Sequence, residues 1–337
     1  MSSKEKTLSG ALWSLRVTLL AAGLLHWAAA GADIPDFVAT KKAAEEGDAR
    51  AQYQIGVFFD RGIGRPRDPK EAAFWLTRAA EQGNVNAQAA LGQLYSLDED
   101  FPRDYEKALH WLKKAAAQNE PRAQMLLGQM YAKGSGVQAD GERAVSYFES
   151  AAKSDLPEAY YVLGELRRTG ALGVKQDPAI AASWYEKAAA KKHLSAIVQL
   201  AYLVRRGHGV PQDHKRATNL FREAAEAGNP EGQMALGASY FSGLGVNEDH
   251  VEAARWMEKA ALQGLALAQF QLGSYYYRGV GKTLNMVEAF AWTAISGMGG
   301  YEEAESTLEL MRKGMTAEQI LAGEARAAEL RALMKKK

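Results

Sequence analysis

Three stretches of the chain carry residue types able to do chemistry. Ser150-Ala151-Ala152-Lys153 has the Ser-x-x-Lys spacing that places a lysine one helical turn from a serine nucleophile. Gly281-Lys282-Thr283 matches the end of a phosphate-cradling loop. Acids recur down the chain at Asp68, Asp104, Asp140, Asp177, Asp213 and Asp249, with Asn285 next in line. Each has a plainer reading. The phosphate loop requires a glycine where Tyr276 stands. Ser150 occupies the register held elsewhere by Arg78, Lys114, Lys187, Glu223 and Lys259, a solvated place near a helix end, and no Lys-Thr-Gly partner occurs. His208, His214 and His250 have no metal-ligand spacing. No catalytic, cofactor-binding or metal-binding residue is assigned, and the chain is read as not an enzyme.

What places these residues is a repeat. A small residue recurs at Gly56, Gly92, Gly128, Gly164, Ala201, Gly237 and Gly273, in steps of 36, 36, 36, 37, 36 and 36. A mostly aromatic series (Trp75, Trp111, Tyr147, Trp184, Leu220, Trp256, Trp292) has the 37 in the same place. Four residues after most of its members comes an Ala pair, as at Ala79-Ala80 and Ala260-Ala261. Three series with one period signal a stacked array.

Each unit reads as two helices. The first runs from about Ala51 to Arg61 in repeat one, with Ala51, Ile55, Gly56 and Phe59 on one face. A Gly-x-Gly stretch then ends it, as at Gly62-Ile63-Gly64 or Gly279-Val280-Gly281. Repeat two departs, with Asp98-Glu99-Asp100 in that loop. The second helix starts at the recurring aspartates, which accept hydrogen bonds from free first-turn amides. Because Ala201 fills the small-residue position in one repeat, size matters there and glycine's backbone freedom does not. The Trp75-type aromatics are expected to fill the space beside it.

Seven units are expected within 51–303, preceded by a half-repeat cap in 33–50. Closing helices and a basic tail follow in 304–337, where Thr316 and Gln319 form a capping box. One unit of about 36 residues cannot cover its own apolar faces, so neighbours must stack. Residues 1–32 read as a cleavable signal peptide. Lys4, Lys6 and Arg16 precede or flank the apolar run from Val17 to Leu25, and Ala30 or Ala32 ends a cleavage site. An uncleaved anchor is the alternative, although the apolar run is short for a membrane span. A periplasmic or secreted location follows, with no stable membrane span after cleavage.

The net charge of +1, from 41 basic and 40 acidic residues, argues against a nucleic-acid binder. With no cysteine, disulfides, thiol catalysis and a lipid-anchored cysteine are excluded.

Repeat three shows the whole pattern: Ala123-Gln124, Leu127-Gly128, Tyr131, Gly134, Gly136-Val137, Asp140, Ala144, Tyr147 and Ala151-Ala152. It resembles the Sel1-like repeat, a relative of the tetratricopeptide repeat, across nearly all of 36–303. The resemblance implies an all-α fold, a right-handed α/α superhelical solenoid, and an adaptor role. Such proteins serve bacterial secretion, envelope signalling, surface polysaccharide control or host contact. The reading is a monomeric scaffold of the bacterial cell envelope that binds a protein or peptide. Alternatives are a regulator docking onto an envelope sensor and a hydrolase of β-lactam or peptidoglycan using Ser150.

The partner should meet the first helices, which in solenoids of this type line the concave side. Counting 100° per residue, their outward positions begin Tyr53, Val57 and Asp60, then Ala89, Gln93 and Ser96, then Met125, Gln129 and Ala132. Later repeats supply Tyr161, Glu165, Arg168, Tyr202, Arg205, Phe241, Phe270 and Tyr277. These eight, rich in types enriched at interfaces, are the expected partner-binding residues. Replacing Tyr202 and Phe241 by alanine is expected to weaken binding and leave thermal stability nearly unchanged.

Overall fold

The computed structural model describes residues 36–335, so the expected signal peptide lies outside the described residues. Those residues form helices and connecting turns, without a strand among them. They fall into two compact units divided at Trp184 and Tyr185.

Among the described residues the first unit begins with a single helix, α1 (Phe37–Glu45), where a half-repeat cap is expected. Helix pairs follow: α2 (Ala49–Arg61) with α3 (Pro69–Glu81), α4 (Val85–Leu97) with α5 (Tyr105–Ala117), and α6 (Pro121–Lys133) with α7 (Gly141–Lys153). Helix α8 (Pro157–Thr169) and a 3-10 turn (Ala171–Gly173) carry the one-residue insertion. The division point falls inside α9 (Pro178–Ala190). In the second unit, α10 (Leu194–Arg206) pairs with α11 (His214–Glu226), α12 (Pro230–Ser242) with α13 (His250–Leu262), and α14 (Ala266–Arg278) with α15 (Met286–Met298). Two closing helices, α16 (Glu303–Gly314) and α17 (Ala317–Lys335), complete it. Within each unit consecutive helices pack on each other, which is the all-α repeat solenoid the sequence implies.

The recurring aspartates are caps. Asp140 Oδ1 accepts from the Arg143 amide at 2.9 Å, and Asp68, Asp104, Asp177, Asp213, Asp249 and Asn285 act alike. First helices start two residues earlier than the periodicity suggests, because Asp48, Asn84, Glu120, His193 and Asn229 cap them in the same way. Leu156 and Leu265 cap nothing.

The small-residue position is a close helix crossing, as expected, but the aromatic series does not press on it. A Cβ on Gly56 would lie 2.6 Å from Leu76 Cγ. Gly128 faces the Phe148 ring and Gly92 faces Leu112, while Gly237 and Gly273 lie against the backbones of α13 and α15. The neighbour is therefore the residue after each aromatic. Trp75 instead packs within its own pair against Ile55 and Phe58. The second loop glycine has its own cause. At Gly281 a Cβ would overlap the His250 carbonyl, so the loop seats its bare backbone on the start of the preceding second helix. The Asp98–Asp100 loop has no such glycine and is tied down by ions instead.

A glutamine ladder, which the sequence reading missed, links neighbouring pairs. Gln88 donates to Ala80 O at 3.1 Å and accepts from Gln118 at 2.8 Å. Gln52 with Gln82 and Gln233 with Gln263 repeat this at the same spacing of 30. Where the second glutamine is replaced, by Ser154 or Gly299, the buried Oε1 of Gln124 or Gln269 has no partner. An unpaired buried acceptor costs about 1–3 kcal/mol.

Both ends are sealed. The Arg65 guanidinium lies 3.1 Å from the Phe37 ring centre, and Phe37 meets Phe58 edge-on. At the other end α17 packs on α15, where Gly323 lies against Phe290 and Arg326 bonds Glu288 at 2.7 Å. Its first turn has the expected capping box between Thr316 and Gln319.

Candidate functional site

In the first unit, α2, α4 and α6 lie side by side and run the same way, since one returning helix separates each from the next. Their common face holds a cavity of about 310 Å³, at the small end of the range for ligand clefts. Helix α4 forms its floor, from Asn86 through Ala89, Ala90 and Gln93 to Leu97. One wall is Tyr53, Val57 and Asp60 of α2; the other is Arg122 and Leu126 of α6, with Glu120 at its cap.

One end of this cavity is acidic. The Arg67 side chain bonds Asp100 at 2.7 Å and also bonds Asp98, while Asp60 lies 3.5 Å away. Burial raises the pKa of the Asp60 carboxyl, against the pull of Arg61 and Arg67. The C-terminal ends of α2 and α4 point here, which adds negative potential. At the other end are the N-terminal turns of α4 and α6. Arg122 stands there close enough to influence Tyr53 and Glu120. Among the described residues it has no carboxylate within ion-pair distance. Burial raises the pKa of Glu120, while the Ala123 amide it caps holds it down.

The first-helix face is thus open in repeats one to three, but rotated from the expected one. Tyr53, Val57, Asp60, Ala89 and Gln93 line the cavity as the spacing suggests. Ser96, Met125 and Gln129 are buried, and Arg122 and Leu126 line it instead. The sequence reading missed Arg67, Glu120 and Arg122. The signal it did hold was the acidic loop of repeat two.

Of the eight expected partner-binding residues, Tyr161 and Glu165 are buried, against expectation. Tyr161 is 8% exposed and Glu165 2%. Glu165 is clasped by Arg168 at 2.7 and 3.1 Å, one turn on, so its charge is spent inside the fold. Tyr202 meets Phe221 edge-on at 5.0 Å, with Arg205 over its ring at 4.9 Å. Phe241 stacks on Tyr275 at 5.5 Å and packs against the core. Phe270 lies 4.7 Å from Tyr301. Tyr277 is 51% exposed and stands open. Tyr202, Phe241 and Phe270 thus each meet a neighbouring ring, while Tyr277 does not turn inward. These ring contacts argue that Tyr202→Ala with Phe241→Ala would cost stability.

The other sequence candidates sit in plain settings. Ser150 donates to Ser146 O at 2.9 Å, and Lys153 is exposed. Lys282 pairs with Glu258 at 2.6 Å in a repeat loop. No group of three or more potential ligands that could hold a metal ion occurs among the described residues. No described helix is long and apolar enough to cross a membrane.

Seven copies of the Sel1 repeat match, at 49–84, 85–120, 121–156, 157–193, 194–229, 230–265 and 266–301. The chain belongs to the Sel1 repeat family. A Sel1 repeat protein of Oxalobacter formigenes is 34% identical with a TM-score of 0.65, over 82% of this chain and 79% of that one. A protective antigen of uropathogenic Escherichia coli with an SLR fold is 32% identical with a TM-score of 0.73. That match covers 88% of this chain and 64% of that antigen. The chitin synthase regulator SKT5 of Malassezia restricta is 46% identical over 46 residues, 14% of this chain and 3% of the regulator. This Sel1 repeat chain thus spans under two thirds of the antigen and a small fraction of the fungal regulator.

Proposed function

We propose that this Sel1 repeat protein is a non-enzymatic scaffold of the bacterial cell envelope that holds a protein or peptide on the face of its first helices. The observation that carries this reading is the cavity between α2, α4 and α6, which is lined by side chains and is closed by no helix among the described residues of its unit. A periplasmic or secreted place is supported by the leader-like composition of residues 1–32. The relation to a protective antigen also favours it.

A photoreactive residue at Gln93, on the cavity floor, tests this in intact cells. Adducts with a discrete protein are expected from Gln93 and not from the exposed Glu149 on α7. Equal adducts from both sites, or none from either, would reject the face. Fractionation of the same cells should find the chain outside the cytoplasm. A nitrocefin assay of the purified chain should show no turnover; hydrolysis lost in Ser150→Ala would replace the scaffold with an enzyme.

A further inference from the structure

We infer that the cavity of repeats one to three selects an extended peptide carrying a basic side chain and, five or six residues away, an acidic one. The basic group enters at Asp60, Asp98 and Asp100 and the acidic group at Arg122. This rests on the scaffold reading and assigns its ligand a chemistry and a direction.

Three independent features support it. The first is charge. At the acidic end Asp60, Asp98 and Asp100 line the cavity against Arg61 and Arg67, so carboxylates outnumber guanidiniums there. Asp100 keeps 78% of its side chain in solvent while bonded to Arg67, leaving it able to accept from a second cation. Arg122, without an ion pair, provides the opposite charge at the other end. The second is the backbone. Parallel α2, α4 and α6 align their dipoles, so the side-chain charges extend a field that the helices already set. The third is space. Ala89 and Ala90 keep the floor low, and Tyr53, Val57 and Leu97 offer flanking apolar surface. From Asn86 to Asp98 helix α4 rises about 18 Å at about 1.5 Å per residue. An extended chain crosses that in about five or six residues at about 3.3 Å each. The acidic loop is also where repeat two abandons the Gly-x-Gly stretch kept by repeats one, three, five, six and seven.

The test uses a displayed library of random dodecapeptides on the purified full chain. Enriched peptides should pair Lys or Arg with Asp or Glu at that spacing. Binding of an enriched peptide should fall about tenfold or more in Asp98→Asn with Asp100→Asn, and equally in Arg122→Glu. The second variant breaks no ion pair but sets a carboxylate beside Glu120, so the charge-reversed peptide is what separates recognition from folding. A peptide with its acidic residue changed to lysine should regain affinity for Arg122→Glu. Enriched peptides without the charge pair, or binding unmoved by both variants, overturn the inference. So does failure to enrich any peptide, and the Gln93 adducts then decide whether the wider scaffold reading stands.

Discussion

The first helices of repeats one to three and those of the second unit share a frame and a spacing, yet present different faces. In the first set, small and polar residues (Ala89, Ala90, Gln93) leave a cavity with charge at both ends. In the second, Tyr202 and Phe241 turn onto Phe221 and Tyr275 of their own unit. An aromatic side chain on this face is long enough to find an intramolecular ring, and each such pair adds about 0.5–1.5 kcal/mol beyond its burial. Small side chains cannot reach, so the surface stays open. At Tyr202 and Phe241, residue types enriched at interfaces therefore mark ring contacts inside the unit and not an open surface.

Four measurements put that contrast at risk. Phe241→Ala should lower unfolding free energy by about 3 kcal/mol in denaturant titration, below the full cost of a buried Phe→Ala because part of the ring is solvated. An unchanged midpoint would mean the ring is free. The second concerns His193, whose half-buried imidazole accepts the Ala196 amide at 3.2 Å and caps α10. Burial pulls its pKa down from 6.5 to about 4. The neutral form is favoured by folding, so the contribution is intact above pH 6.5 and is lost as pH falls from there toward 4. Relative to His193→Asn, the natural chain should lose about 2 kcal/mol over that window. Parallel pH profiles of the two chains would refute this.

Next come single hydrogen bonds. Ser154→Gln should raise stability by about 1 kcal/mol by giving Gln124 its missing donor, and Asp140→Ala should lower it by about 1 kcal/mol through the lost cap. Thermal melts of both variants check the two signs. Smallest of all, Gln93→Ala on the cavity floor should stay within about 0.5 kcal/mol of the natural chain. A larger loss would show that the open face contributes to folding as much as the closed one does.

Much of the frame was legible in the sequence because its cause is local or repeated. Asp140 caps wherever its register recurs, and Thr316 with Gln319 completes a cap four residues long. The glutamine ladder was equally periodic, at Gln52, Gln88, Gln124, Gln233 and Gln269. Its partner stands 30 residues on, so its meaning emerges only when two pairs are stacked. The candidate site was half legible. Tyr53 and Gln93 follow from helical spacing, and the Asp98–Asp100 loop stood out as a break in pattern. Arg67 and Arg122 did not, because one comes from a loop in the preceding repeat and the other from the first turn of the next.

The sequence alone determined the period, the helix pairs, the caps and the family, since each rests on interactions within a few residues or on a unit copied seven times. The tertiary structure decided which first-helix residues remain available. Availability depends on the reach of a side chain toward neighbours about 20 to 35 residues away, as in Tyr202 with Phe221 or Arg67 with Asp98 and Asp100. A helical wheel gives the direction in which a side chain leaves its own helix; the surrounding helices determine what it meets.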